Sequence, residues 1–216
     1  MSALGDGDLD HVVVVTGSLR AAADRIAAAV GVRPAFGGRH PGNGSANLIL
    51  ALTGAGGGAY LEVLGPDPEE TRDLPPERTF FGIDLRREPV PGRVLTWARR
   101  SDDIEAEAAR IRATGIEVGR VQSLGRRRDD GTELRWRLTR APEPQFGGAF
   151  PFLIDWGGAP HPSADAPPVR LIALHADVAE TERLAARSAG VALPPAGGAG
   201  SPLSVTIAGP GGSLTL

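Results

Sequence analysis
The chain of 216 residues contains no cysteine and no lysine. The first absence excludes disulfides, iron–sulfur clusters, thiolate zinc sites and cysteine nucleophiles. The second makes all 23 basic residues arginine, and excludes Schiff-base chemistry and lysine general bases. Long apolar runs are missing too: the four valines at 12–15 form the longest β-branched run, far too short to span a bilayer. Neither GxxxxGKS/T nor GxSxG occurs, so a phosphate-cradling loop and a hydrolase elbow have no support. Residues 1–10 carry Asp6, Asp8 and Asp10 with no basic residue, unlike a signal peptide, and a cytoplasmic location is expected. A formal net charge of −3 marks neither a nucleic-acid nor a membrane partner. Four histidines, the carboxylates, the arginines, hydroxyls and Tyr60 remain for chemistry.

A repeat organises what is present. Residues 11–15, 94–98 and 171–174 each read as a strand followed by an amphipathic helix and a glycine. The helices carry Leu19, Ala22, Ile26 and Val30; Ile104, Ala108 and Ile111; and Val178, Thr181, Leu184 and Ala185 at helical spacing. Ser18, Asp102 and Asp177 sit where N-caps belong, and Gly31, Gly115 and Gly190 sit where left-handed C-caps need glycine. Further strands are expected at 47–52 and 60–64, at 118–124, 133–139 and 150–156, and at 203–207 and 213–216, with turns at 54–58, 129–131 and 210–212. Each helix stop is also read as opening a strand, at Val32, Ile116 and Val191. The order in every unit is βαβββ. The expected organisation is therefore an α+β fold with modules at 9–66 and 93–157, a connector at 67–92, a Pro-rich linker at 158–168, and a third, degenerate βαβββ unit at 169–216.

This order, with Leu9, Asp10 and His11 opening unit 1 and residues 60–64 closing it, resembles the vicinal oxygen chelate (VOC) superfamily. The Gly37-Gly38-Arg39-His40-Pro41-Gly42 stretch before Asn47, and residues 152–156, resemble its glyoxalase-like domain branch. The resemblance implies a glyoxalase/bleomycin-resistance-like fold, in which two βαβββ modules pair and curl into a cleft. It also implies that metal-binding members draw ligands from the first and last strands of each module. By position those places hold His11, Glu62, Thr96 and Asp155, with Thr96 departing from the stronger ligand usual there.

Strand alternation bears on the same cleft. It places Val12, Val14, Leu61 and Val63 toward the helix, and His11, Val13, Val15, Tyr60 and Glu62 toward the cleft. In unit 2 it places Trp97, Trp136 and Trp156 on the helix side, and Thr96, Arg135, Arg137 and Asp155 in the cleft, joined by Asn47. His11, Glu62 and Asp155 form the candidate metal set, suited to Fe, Mn, Ni or Zn. Glu62 and His40, in a Gly/Pro/Asn loop, are candidates for moving protons. Asn47, Tyr60, Thr96, Arg135 and Arg137 are candidate substrate contacts, the arginines favouring an anion unless they form a solvated strand face.

Two functions follow from the resemblance and this site. One is a divalent-metal-dependent lyase, isomerase or dioxygenase acting on a small anionic or vicinal-oxygen substrate. The other is a metal-free protein that binds or sequesters a small molecule in the same cleft; a relic cleft would instead have His11 and Glu62 hydrogen-bonded to each other. No organic cofactor is expected, the partner is a small molecule, and the chain is expected to be a monomer or a homodimer.

Overall fold
Seven residues of unbroken burial open the described chain. Strand β1 (Leu9–Val15) has the sequence LDHVVVV and is buried throughout, as befits a β-branched strand covered on both faces. Helix α1 (Leu19–Val30) buries Ala22, Ala23, Ile26 and Val30. Ser18 caps it by accepting from the Ala21 N–H at 3.3 Å, and Gly31 ends it at φ 73°. The computed structural model describes residues 8–40, 42–67, 69, 80–127, 133–197 and 201–216. The expected turn at 129–131 and Pro41 lie outside the described residues.

The remaining elements are β2 (Ala35–His40), β3 (Ser45–Thr53), β4 (Ala59–Pro66), β5 (Arg93–Arg100), α2 (Ile104–Arg112), β6 (Arg120–Arg127), β7 (Glu133–Arg140), β8 (Phe152–Asp155), β9 (Pro168–Ala176), α3 (Glu180–Ser188), β10 (Leu203–Gly209) and β11 (Gly212–Thr215). Among the described residues they form one sheet in the order β11-β10-β9-β3-β4-β1-β5-β8-β7-β6, with β2 paired to β3. Within each module the first and last strands run parallel, β1 with β4 and β5 with β8. The modules meet through the antiparallel pair β1–β5, so the strand order is mirrored about that seam. This is an α+β fold of paired βαβββ modules.

Several local details differ from the sequence expectations. Asp103, not Asp102, caps α2, and α3 begins at Glu180 behind Ala179 while Asp177 accepts from the Gly197 N–H. His40 ends a strand rather than sitting in a loop, because β2 pairs antiparallel with β3. Residues 32, 116 and 191 open no strand. Among the described residues two strands follow α3, and β9 pairs antiparallel with β10, so the described C-terminal unit reads βαββ. Pro194 and Pro195 in the segment after α3 lack the N–H groups a ladder needs.

This unit extends the sheet past β3, where residues 51–53 pair with 168–170. It also folds over the helix-bearing side. Leu174, Leu203, Val205 and Ile207 share one core with Ile26, Leu50 and Trp97, while Ala186, Ala189 and Val191 pack with Ile104, Ala108 and Ile111 of α2. Gly31 marks one close contact, since a Cβ there would lie 2.7 Å from the Gly211 N. No described helix is long and apolar enough to cross a membrane.

Candidate functional site
On the side of the sheet away from α1, a cleft of about 740 Å³, open mouth included, lies between the two modules. Module 1 presents the face that alternation requires. Val12, Val14, Leu61 and Val63 lie in the helix-side core, whereas His11, Asn47, Tyr60 and Glu62 line the cleft. Val13, Val15, Leu85 and Leu95 form one buried cluster with Leu64, and Leu64 lines the cleft. His40 reaches the same cleft from the end of β2, its Nδ1 3.0 Å from Ser45 Oγ.

Module 2 inverts the expected parity on β7 and β8. Trp136, Leu138, Phe152, Ile154 and Trp156 line the cleft, and of the three tryptophans only Trp97 lies on the helix side, where its Nε1 donates to the Ala149 carbonyl at 2.8 Å. Asp155 and Arg137 point the other way and pair with each other. The Asp155 hydrogen bond raises the Arg137 pKa, with Asp103 and Glu105 of α2 also acting on it. The expectation put polar residues inward; instead Arg137 and Asp155 pair with each other outside the cleft, and the β7 and β8 residues lining it are mostly apolar. Arg135 is exposed and outside the lining, and Thr96 is buried without reaching it. Asp155, Arg135, Arg137 and Thr96 are thus not brought to the site. Asp155→Asn is expected to cost about 1 kcal/mol of stability or less, as for other partly exposed pairs, and to leave ligand affinity unchanged in a titration.

The structure adds residues that sequence reasoning missed. Phe81, from the connector, and Phe152 pack 5.9 Å apart at the wall, and Phe81 holds a left-handed φ of 58°. Arg140, at the end of β7, is the cleft's arginine, and burial pushes its pKa down. Asp10 lies wholly buried behind His11 and is the largest omission. Its carboxylate accepts from His11 Nδ1 at 2.8 Å, Trp156 Nε1 at 3.1 Å, Arg100 Nε at 3.1 Å and His161 Nε2 at 3.1 Å. Burial alone would raise its pKa, but the hydrogen bonds from His11 and His161, joined by their charge whenever those rings are protonated, outweigh burial and hold it far below the ordinary 3.8. The Leu9-Asp10-His11 sequence carried the only signal, an acidic residue within an otherwise apolar strand.

The polar corner is therefore built in layers. Asp10 fixes the His11 ring, which stacks on Tyr60 at 4.6 Å and meets the edge of Phe152 at 5.3 Å. His11 Nε2 then faces Glu62 Oε2 at 3.8 Å, beyond hydrogen-bond reach. Asn47 Nδ2 donates to the other Glu62 oxygen, and Asn47 Oδ1 stays buried without a partner. These donors do not fit a catalytic divalent metal, which takes three protein ligands. Only His11 and Glu62 of the expected set converge, and no group of three His, Asp or Glu side chains among the described residues could hold an ion.

Paired βαβββ modules closing on one cleft define the class to which this fold belongs. The chain is a member of the glyoxalase-like domain family, which matches residues 9–192, within the VOC superfamily. No curated protein matches it. Among solved structures it is similar to a hypothetical protein from Staphylococcus aureus, with 18% identity over 70% of this chain and 59% of that one, at a TM-score of 0.49. It is also similar to a variant of Streptomyces coelicolor methylmalonyl-CoA epimerase in complex with 2-nitronate-propionyl-CoA (25% identity, 70% and 98% covered, TM-score 0.45). The methylmalonyl-CoA epimerase of Mycobacterium tuberculosis is a third (18%, 72% and 91%, TM-score 0.42).

Proposed function
We propose that this chain is a metal-independent small-molecule-binding protein whose ligand lies with an apolar body between the modules and a polar end at His11 and Glu62. The observation that carries this is the composition of the cleft wall. Tyr60, Phe81, Trp136, Phe152 and Trp156 surround one concave space with a few convergent polar groups, the pattern of ligand sites generally. Arg135 and Arg137, on which the expectation of an anionic substrate rested, lie outside this wall, and Arg140 is the arginine that lines it. The divalent-metal-dependent lyase, isomerase or dioxygenase reading loses its third ligand with Asp155.

A thermal-shift screen of small aromatic and aliphatic compounds tests the proposal. A ligand at 100 times its Kd stabilises the folded state by about 2.7 kcal/mol, a rise of several degrees. Trp136→Ala is expected to abolish that rise, and a hit equally effective on Trp136→Ala would place binding elsewhere. Dialysis against Mn(II) or Zn(II) followed by elemental analysis should find no stoichiometric metal.

One observation favours a second reading, proton transfer. An ionised Asp10 can only accept, so His11 Nδ1 donates to it, and a neutral ring then turns the Nε2 lone pair to the cleft. That is the arrangement of a general base held in one tautomer. Hydrogen–deuterium exchange at an acidic C–H of a bound compound, lost in His11→Gln, would support catalysis; exchange unaffected by that change would oppose it.

A further inference from the structure
We infer that the cleft's ligand carries a protonated amine or amidine, held between His11 Nε2 and Glu62 Oε2. This rests on the binding reading above and names the chemistry of its polar end. His11, Glu62 and Asn47 each present an acceptor atom at this corner. His11 Nδ1 is committed to Asp10, so whenever the ring is neutral its Nε2 presents a lone pair to the cleft. Glu62 offers Oε2, its other oxygen being taken by Asn47. Asn47 cannot turn its amide round without setting oxygen against the Glu62 carboxylate, and its Oδ1 is already a buried acceptor lacking a donor.

Two acceptors 3.8 Å apart do not bond each other, but a donor nitrogen about 2.9 Å from each would bridge them. A carboxylate or phosphate at the same point would face an acceptor and a negative charge. The surrounding rings agree. Tyr60, Phe81, Trp136, Phe152 and Trp156 line the cleft, and an aromatic face attracts a cation electrostatically, an indole most strongly. Arg140 stands on β7 of module 2, and burial is the cause of its lowered pKa. The corner on β1, β3 and β4 therefore presents the cleft's negative pole.

Isothermal titration with 4-phenylbutylamine, 4-phenylbutanol and 4-phenylbutyrate tests this, because the three share one apolar body. The amine is expected to bind at least ten-fold more tightly than the alcohol or the acid. In Glu62→Gln the affinity ratio of amine to alcohol should shrink to within two-fold. If the alcohol or the acid binds wild-type protein as tightly as the amine, the amine inference is overturned and the binding reading stands. If none of the three gives heat or perturbs the Trp136 and Trp156 indole resonances at millimolar concentration, both are overturned.

Discussion

Asp10→Ala is expected to cost about 3–5 kcal/mol of folding stability, the loss typical of removing one partner from a buried charged network. For a chain of this size that is a fall in Tm of roughly 6–20 °C, measurable by circular dichroism or calorimetry. The substitution strands donors from four places: His11 on β1, Arg100 at the end of β5, Trp156 after β8 and His161 in the linker. Three of these hold cleft walls, since His11 and Trp156 line it and Pro162 follows His161 into the lining. The variant should therefore lose ligand affinity together with stability. A pH dependence accompanies this. The folded carboxyl titrates below its ordinary 3.8, so the unfolded chain takes up the proton first as the solution is acidified. Asp10's contribution is complete above about pH 5 and is lost progressively as the pH falls through 3.8 toward the folded value. The stability gap between wild type and Asp10→Ala should narrow over that acid range. A gap that is constant from pH 7 to pH 3 would contradict the assignment.

Removal of residues 169–216 is expected to abolish cooperative folding of the rest. Val169, Leu174, Leu203, Val205 and Ile207 lie in the same core as α1, β3 and Trp97, and Val191 and Leu193 cover Ile104, Ala108 and Ile111 of α2. Each fully buried side chain of this kind contributes about 1.5–3 kcal/mol, and the facing surfaces on both modules would be exposed in turn. That gross loss is comparable with the roughly 5–15 kcal/mol by which whole domains are stable. The edge of β3 at residues 51–53 would also lose its pairing with β9, leaving an open template for aggregation. Sedimentation and thermal melts of residues 1–168 check this; a soluble monomer with unchanged Tm would show the C-terminal unit to be an appendage.

The module architecture was legible in the sequence because its punctuation is local. Ser18 and Gly31 bracket α1 by cap chemistry that needs no tertiary context, and the alternation in β1 and β4 sorted His11, Tyr60 and Glu62 from Val12, Leu61 and Val63 correctly. On β7 and β8 alternation showed which residues share a face but not which face turns inward. Charge was taken as the mark of the cleft, yet Arg137 and Asp155 satisfy each other outside it, and Trp136 and Trp156 enclose the cleft in their place. Asp10 was hidden for a different reason. Its partners Arg100, Trp156 and His161 are distant in the chain, and only the paired modules and the returning linker bring them to one carboxylate.

The three indole N–H groups allow the most direct test of the cleft as a metal-free binding site. In a proton–nitrogen correlation spectrum, Trp136 and Trp156 report on the cleft wall, and Trp97, bonded to the Ala149 carbonyl within the helix-side core, serves as the internal control. Titration of chelator-treated protein with a compound selected by thermal shift should move the Trp136 and Trp156 resonances saturably and leave Trp97 in place. Adding Zn(II) or Mn(II) should not change that affinity. Saturable binding that appears only with metal, or that moves Trp97 while Trp136 and Trp156 stay fixed, would contradict the account.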